Sequence, residues 1–156
     1  MNADNYFAEQ ETLVTACCKA WNNLDTSYIQ NCLTEDFEYT SQMVLETMHG
    51  KDQYVNYLKE KFVAIKEGND PVTAEMGYFE NSPCLIIIQQ LAVAEKAIYR
   101  KSIKMDDGTI ETVSVITNVR EAIILFKFTG DKIKSASLCT VAPNINNVKR
   151  TGIFPK

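Results

Sequence analysis

The chain contains 156 residues, of which 46% are hydrophobic and 23% charged, with a formal net charge of −4. This length and apolar fraction suit one globular domain, and they exclude a disordered chain or a pair of ordinary domains. The mild acidity argues against a general nucleic-acid-binding protein, and a single histidine, His49, excludes a multi-histidine metal site.

The cysteines and the apolar runs bear on the compartment. Five cysteines without a Cys-x-x-Cys pair indicate reduced, mostly buried thiols. Residues 1–5 carry neither the basic nor the apolar region of a secretory signal, and the longest dense apolar run, residues 84–88, is too short to cross a bilayer. We therefore expect a cytoplasmic protein that binds neither nucleic acid nor a membrane.

The first half of the chain predicts three helices and one strand. Apolar residues recur three and four positions apart over residues 6–23, which places them on one helix face. Asp25 or Thr26 would cap a short second helix that reaches residue 33. A strand over residues 37–44 follows, and then a third helix over residues 52–66.

The second half of the chain predicts strands. After a strand at residues 72–79, residues 84–105 and 110–128 form one long hairpin about an Asp-Asp-Gly-Thr turn. A last strand covers residues 133–142, and residues 143–156 are expected to be a tail.

The turn chemistry also predicts the register of the long hairpin. A turn centred on Asp107 and Gly108 sets Lys104 opposite Glu111, and Glu95 opposite Arg120. Oppositely charged residues are favourable cross-strand neighbours, so the charges support this register.

Three motifs in this order resemble the nuclear-transport-factor-2-like superfamily, in its polyketide-cyclase-like or ketosteroid-isomerase-like branch. They are Trp21 followed by Asn-Asn-Leu-Asp, the run Leu-Thr-Glu-Asp-Phe-Glu-Tyr from Leu33, and the run His-Gly-Lys-Asp-Gln-Tyr from His49. The resemblance implies an α+β cone, in which three N-terminal helices pack on a strongly curved, mainly antiparallel sheet with an internal pocket. The single domain would span residues 1–142, with the tail at 143–156 outside it.

The implied pocket lies between the sheet and the third helix, and aromatic walls with a few polar tips suit a small organic ligand. Arg120 would bind an anionic group of that ligand, or it would pair with Glu95 instead. The candidate ligand-binding residues are Trp21, Tyr39, Tyr54, Asn118 and Arg120.

The acid–base groups for catalysis are few. His49 is the weak catalytic candidate, because its ordinary pKa lies near neutrality. In the relatives a carboxylate on the early strands often acts as base, whereas the matching positions here are Thr40 and Ser41. We therefore expect a small-molecule-binding domain without metal or cofactor. A dehydratase or isomerase is the alternative, and a protein-interaction module is the second alternative.

The opposite face of the late strands is also apolar. Val115, Val119, Ile123 and Leu125 would be exposed there in a monomer. An exposed apolar surface of this kind usually marks an interface, and the resembling domains often dimerise through the sheet. The sequence thus predicts a homodimer.

Overall fold

The computed structural model describes residues 3–42, 44–68, 70–90, 97–117, 119–140 and 148–156. Within these ranges the helices are α1 (Ala3–Asn23) and α2 (Lys51–Gly68). The strands are β1 (Leu33–Ser41), β2 (Val44–His49), β3 (Val72–Phe79), β4 (Ser82–Gln90), β5 (Ala97–Lys104), β6 (Ile110–Thr117), β7 (Val119–Thr129), β8 (Lys132–Cys139) and β9 (Val148–Arg150). Neither helix is long and apolar enough to span a membrane.

The expectation of three helices is wrong, since the described residues contain two. The predicted second helix is a single 3₁₀ turn, Thr26–Tyr28, capped by the Asp25 carboxylate, which accepts a hydrogen bond from Ser27 N at 2.9 Å. Leu33, which completed the helical spacing, instead begins β1 and pairs with Ile133 of β8. Strand pairing therefore overrides the local helical pattern at this point.

The main sheet has seven strands in the order β2-β1-β8-β7-β4-β3-β9. β1 and β8 run parallel, and the other neighbouring strands run antiparallel, so the sheet is mixed. The sequence predicted no separate β2. That strand folds back on β1, which sets His49 beside Glu38.

The predicted long hairpin is divided into two parts. β4 pairs with β7 in the main sheet, whereas β5 and β6 form a two-stranded sheet of their own. On one side six residues separate Gln90 from Ala97, but on the other only one residue separates Thr117 from Val119. Between β4 and β7 the predicted register fails because it assumed one continuous ladder.

Two of the predicted pairs are wrong. Arg120 lies opposite Gln89. Glu111 lies opposite Ile103 rather than Lys104, because the turn between Met105 and Thr109 contains three residues rather than two. The predicted partner of Arg120, Glu95, falls outside the described residues.

Both helices pack on one face of the sheet, with α1 against β3 and β4 and α2 against β1 and β2. This inner face supplies the main core, which includes Val14, Phe37, Leu58, Leu85 and Ile124. A smaller cluster on the outer face contains Cys84, Ile86 and Ile123.

Residues 148–156, expected as part of a tail, lie along β3. β9 pairs antiparallel with β3, and Met76 N donates a hydrogen bond to Ile153 O at 3.1 Å. The side-chain amide of Asn22, at the end of α1, donates to both Ala74 O and Pro155 O. The apolar residues of this segment were too scattered to predict a strand, because its pairing partner lies some 70 residues earlier in the chain.

Candidate functional site

Aromatic rings from β1 and α2 meet between the sheet and the helix. Tyr54 lies 4.8 Å from Phe37 and 4.8 Å from Tyr39, measured between ring centroids. Tyr57, one helical turn after Tyr54, lies 5.8 Å from Tyr39. Alternation along β1 turns Phe37 and Tyr39 inward, and the three-residue spacing on α2 puts both its tyrosines on the facing side.

Burial raises the pKa of two of the tyrosine hydroxyl groups in this cluster. Desolvation raises the pKa of Tyr39 far above its ordinary value, and the neighbouring Tyr57 adds to the shift. Burial likewise raises the pKa of Tyr54, with further contributions from Tyr39 and from the thiol of Cys17. At neutral pH these groups can therefore donate or accept hydrogen bonds, but they carry no charge.

A small cavity of about 10 Å³ lies beside this cluster, between α1, α2 and the inner sheet face. That volume is close to the space needed for one water molecule. Its wall is apolar and aromatic and consists of Cys17, Trp21, Ile29, Tyr54, Leu85, Ile124 and Phe126. Two predicted ligand-binding residues, Trp21 and Tyr54, thus line the cavity, and Tyr39 packs directly behind Tyr54.

A lysine beside the cavity was missed by the sequence analysis. The Nζ atom of Lys61 lies 5.9 Å from the ring centroid of Trp21 and 5.8 Å from that of Tyr57. Both distances suit a cation–π interaction. The four-residue spacing from Tyr57 to Lys61 on α2 was the signal that could have placed this charge near the aromatic residues.

No family model and no curated protein matches the sequence. Solved structures do match the described backbone. A SnoaL-like protein of unknown function from Burkholderia thailandensis is 17% identical, with 86% of this chain and 97% of that chain covered and a TM-score of 0.54. An NTF2-like protein from Anabaena variabilis is 12% identical, with 91% and 93% covered and a TM-score of 0.54.

The chain has the nuclear-transport-factor-2-like fold. The same architecture is found in an LEH-like epoxide hydrolase from M. tuberculosis, which is 11% identical, with 85% of this chain and 83% of that chain covered and a TM-score of 0.50. At such identities the likeness concerns the backbone, so the chemistry must be argued from the side chains of this chain.

Within the nuclear-transport-factor-2-like fold, Arg120 lies away from the cavity. It is the second residue of β7 and exposed, whereas Ile124 and Phe126 on the same strand line the cavity. Alternation does place Arg120 on the inner side of the strand, as the sequence predicted, but beyond the part that the helices cover. Asn118 falls outside the described residues.

His49 lies on the opposite side of the sheet from the tyrosines. Its Nδ1 atom is 3.4 Å from Oε1 of Glu38, and the His49 side chain is 71% exposed. Glu38 alternates with the inward-facing Phe37 and Tyr39 along β1, so the pair faces outward. The sequence predicted no carboxylate partner for His49, because no strand was predicted between the strand at residues 37–44 and the helix at residues 52–66.

The outer sheet face contains a larger, half-open groove of about 320 Å³. Its volume falls in the range of ligand pockets, but no predicted ligand-binding residue lines it. Apolar, hydroxyl-bearing and charged residues contribute to its lining: Phe79, Glu80, Ser82, Pro83, Cys84, Leu125, Phe126, Lys127, Ser135 and Ser137.

Proposed function

We propose that this chain is a small-molecule-binding domain whose ligand occupies the cavity between α1, α2 and the inner sheet face. The observation that carries the proposal is the aromatic wall formed there by Trp21, Tyr54 and Phe126. A concave, mostly apolar site with a few polar tips is typical of binding sites for organic molecules. The flat rings favour a compact aromatic or apolar ligand.

Ligand entry requires side chains to move, because the closed cavity holds only about one water molecule. Phe126 and Tyr57 are the half-buried rings at this site, so they are the residues whose rotation would enlarge it. Lys61 would then lie close to an anionic group on the ligand. In this proposal Lys61 takes the role that the sequence analysis assigned to Arg120.

The test uses the only tryptophan of the chain, Trp21, as the reporter. Benzene, phenol and benzoate share one ring and differ in their polar group. We expect a saturable change in Trp21 fluorescence with at least one of them, and tighter binding of benzoate than of phenol if Lys61 attracts an anion. The variant Lys61→Met should then remove the preference for benzoate.

Two variants separate specific binding from general effects. Cys17→Leu adds volume to the cavity wall and should abolish the fluorescence change. Val63→Leu, on the exposed side of α2, makes a comparable change outside the cavity and should leave binding intact. Binding that survives Cys17→Leu, or no binding of any of the three ligands, would contradict the proposal.

Dehydratase or isomerase activity is the alternative function. It would pair His49 with a tyrosine hydroxyl as the acid–base groups, but His49 and Tyr39 face opposite sides of the sheet. The binding proposal therefore expects His49→Gln to bind the ligand as the unchanged protein does. Loss of turnover in that variant would favour the enzyme.

Self-association through the outer sheet face is a second candidate, which the groove favours. Ile123, expected to be exposed there, is already buried, and Leu125 is half-buried in the groove wall. If two copies meet on this face, Leu125→Glu should halve the particle mass measured by light scattering. An unchanged mass would exclude this face as the interface.

A further inference from the structure

The main sheet divides in two where β4 and β7 separate. The two strands pair from Gln90 and Val119 down to Leu85 and Ile124. Beyond this last pair, the described residues of β4 pair with β3 and those of β7 pair with β8. The groove of about 320 Å³ lies in this gap, because its walls come from the ends of β3 and β4 on one side and from β7 and β8 on the other.

Pro83 explains why the ladder between β4 and β7 ends there. Gln90 N donates to Pro71 O at 2.9 Å, on the β3 side of β4. Backbone groups alternate between the two sides of a strand, so Leu85 and Pro83 direct theirs toward β7. Proline has no N–H to donate, and the ladder stops one hydrogen-bonded step before it. Phe126, which would face Pro83 in a continued ladder, therefore directs its backbone N–H and C=O into the gap.

The inner cavity and the groove meet at Phe126. Leu85 and Ile124, the last pair of the ladder, line the cavity on the inner face. Cys84 and Leu125, the next residues of the same strands, line the groove on the outer face. Of the described residues, Phe126 alone contributes to both walls. The two voids thus lie on opposite faces of the sheet at the same point, with the half-buried Phe126 between them.

The polar groups of the groove include both donors and acceptors of hydrogen bonds. Phe126 contributes a backbone N–H and C=O, and the Ser135 hydroxyl lies opposite Lys127 on the neighbouring strand. Glu80 and Lys127 add one charge of each sign, and neither takes part in an ion pair among the described residues. A neutral group that both donates and accepts matches this set better than an ion does. A carboxamide is such a group, because it has a carbonyl oxygen and N–H donors.

Glu80 has an unfavourable backbone conformation in the wall of the groove. Glu80 and Asn81 form the two-residue turn between β3 and β4, with φ angles of 49° and 66°. Asparagine adopts this left-handed region readily, whereas it is uncommon for glutamate. Local strain of this kind is concentrated at functional sites, so the carboxylate at this position supports a binding role for the groove.

We propose that the groove is the outer half of the ligand site and that the full ligand is an arylalkyl amide. Its ring lies beside Trp21 in the cavity, its alkyl chain passes through the gap, and its amide exchanges hydrogen bonds with the backbone of Phe126. Packed layers lie about 10 Å apart, so a ligand that reaches through the sheet has a length of this order. The inference rests on the proposed function, because the ring occupies the same cavity. It assigns the groove to this ligand rather than to a second copy of the chain.

Binding of a short and a long amide tests the inference. Benzamide fills only the cavity, whereas 5-phenylpentanamide is long enough to place its amide in the groove. We expect Trp21 fluorescence to report both, with binding of the long amide about tenfold tighter because its amide gains hydrogen bonds. The backbone amide resonances of Lys127 and Ser135 should shift with the long amide alone. Equal affinity for the two amides, or binding of neither, would overturn the inference, whereas benzene, phenol and benzoate test the cavity separately.

Two substitutions of an acidic residue provide matched variants. Glu80→Asn removes the carboxylate from the groove and suits the left-handed turn, so it should raise the free energy of unfolding and weaken binding of the long amide about tenfold. Asp131→Asn removes the same charge in the exposed turn between β7 and β8 and should leave that binding unchanged. Benzamide should bind both variants as it binds the unchanged protein. Equal affinity of the two variants for the long amide would overturn the assignment.

Discussion

The carboxylate of Glu75 accepts two hydrogen bonds from the guanidinium of Arg150, at 2.9 Å from Nε and 2.6 Å from Nη2. A third comes from Gly152 N at 2.8 Å. The Glu75 side chain is 1% exposed and that of Arg150 is 55% exposed. This ion pair joins β3 to residues 148–156, and the buried partner is the acid.

Replacing Arg150 and replacing Glu75 should reduce the stability of the fold by different amounts. Arg150→Met leaves a buried carboxylate without its cation, so we expect it to reduce the free energy of unfolding by about 3–5 kcal/mol. Glu75→Gln leaves Arg150 free to reach solvent and should reduce it by about 1.5–3 kcal/mol. Urea unfolding measures both, with Lys149→Met as the neighbouring exposed control. Equal losses of unfolding free energy in Arg150→Met and Glu75→Gln would contradict this order.

The same pair predicts a dependence of stability on acid pH. Burial raises the pKa of Glu75, but the hydrogen bonds from Arg150 and Gly152 outweigh it and hold the pKa below its ordinary value of 4.5. The unfolded chain therefore binds the proton first as the pH falls. The contribution is complete above pH 4.5 and is lost as the pH falls through the lower pKa of the folded state. Glu75→Gln should flatten this part of the curve of unfolding free energy against pH; a curve as steep as before would contradict the assignment.

Gly77 permits the close approach of β3, β4 and β9. A Cβ atom at this position would lie 2.7 Å from Cδ1 of Ile86 and 3.0 Å from the carbonyl oxygen of Lys149. We expect Gly77→Ala to destabilise the fold by about 1–3 kcal/mol, which urea unfolding would measure. Adding Ile86→Val removes the nearer contact and should recover part of the loss.

A matched glycine provides the control for Gly77. At Gly68, the last residue of α2, an added Cβ would lie 3.8 Å from Oδ2 of Asp70, which is an ordinary van der Waals distance. Gly68→Ala should therefore leave stability unchanged or increase it slightly. If Gly77→Ala behaves like Gly68→Ala, the contact between the strands is looser than the structure implies.

The buried hydroxyl of Tyr54 predicts a dependence on alkaline pH. Burial raises the pKa of Tyr54 above its ordinary value of 10.0, so the folded chain keeps this proton where the unfolded chain loses it. The contribution to stability is complete below about pH 10 and falls as the pH rises further. Tyr54→Phe should reduce that fall, and Tyr28→Phe, at a residue 41% exposed, should not. The free energy of unfolding, measured across this pH range, checks the prediction. An equal fall of this free energy in both variants would contradict it.

The helices and the aromatic part of the site could be predicted because their signals are local. Apolar spacing predicted α1 and α2, and the same stripes contained Trp21 and Tyr54. Alternation along β1 predicted that Tyr39 points inward. Each of these inferences needs only a few consecutive residues and the geometry of one element.

The parts of the fold and of the site that could not be predicted depend on pairing between distant segments of the chain. The parallel contact of β1 with β8 joins Tyr39 to Ala136, and no local pattern encodes it. The break between β4 and β5 changed the neighbour of Arg120, because unequal numbers of residues separate the strands on the two sides. The position of His49 depended in the same way on β2. This strand is short, and no strong turn signal precedes it in the sequence.

The pairing of β3 with residues 148–156 also bears on the order of events during synthesis. β3 and its partner β4 leave the ribosome while the segment that covers the other edge of β3 is still untranslated. Until then Asn22 lacks one of its acceptors, Pro155 O, and the buried carboxylate of Glu75 lacks its cation. The nascent chain therefore exposes a charged, unpaired strand edge, and the late arrival of Arg150 completes the sheet.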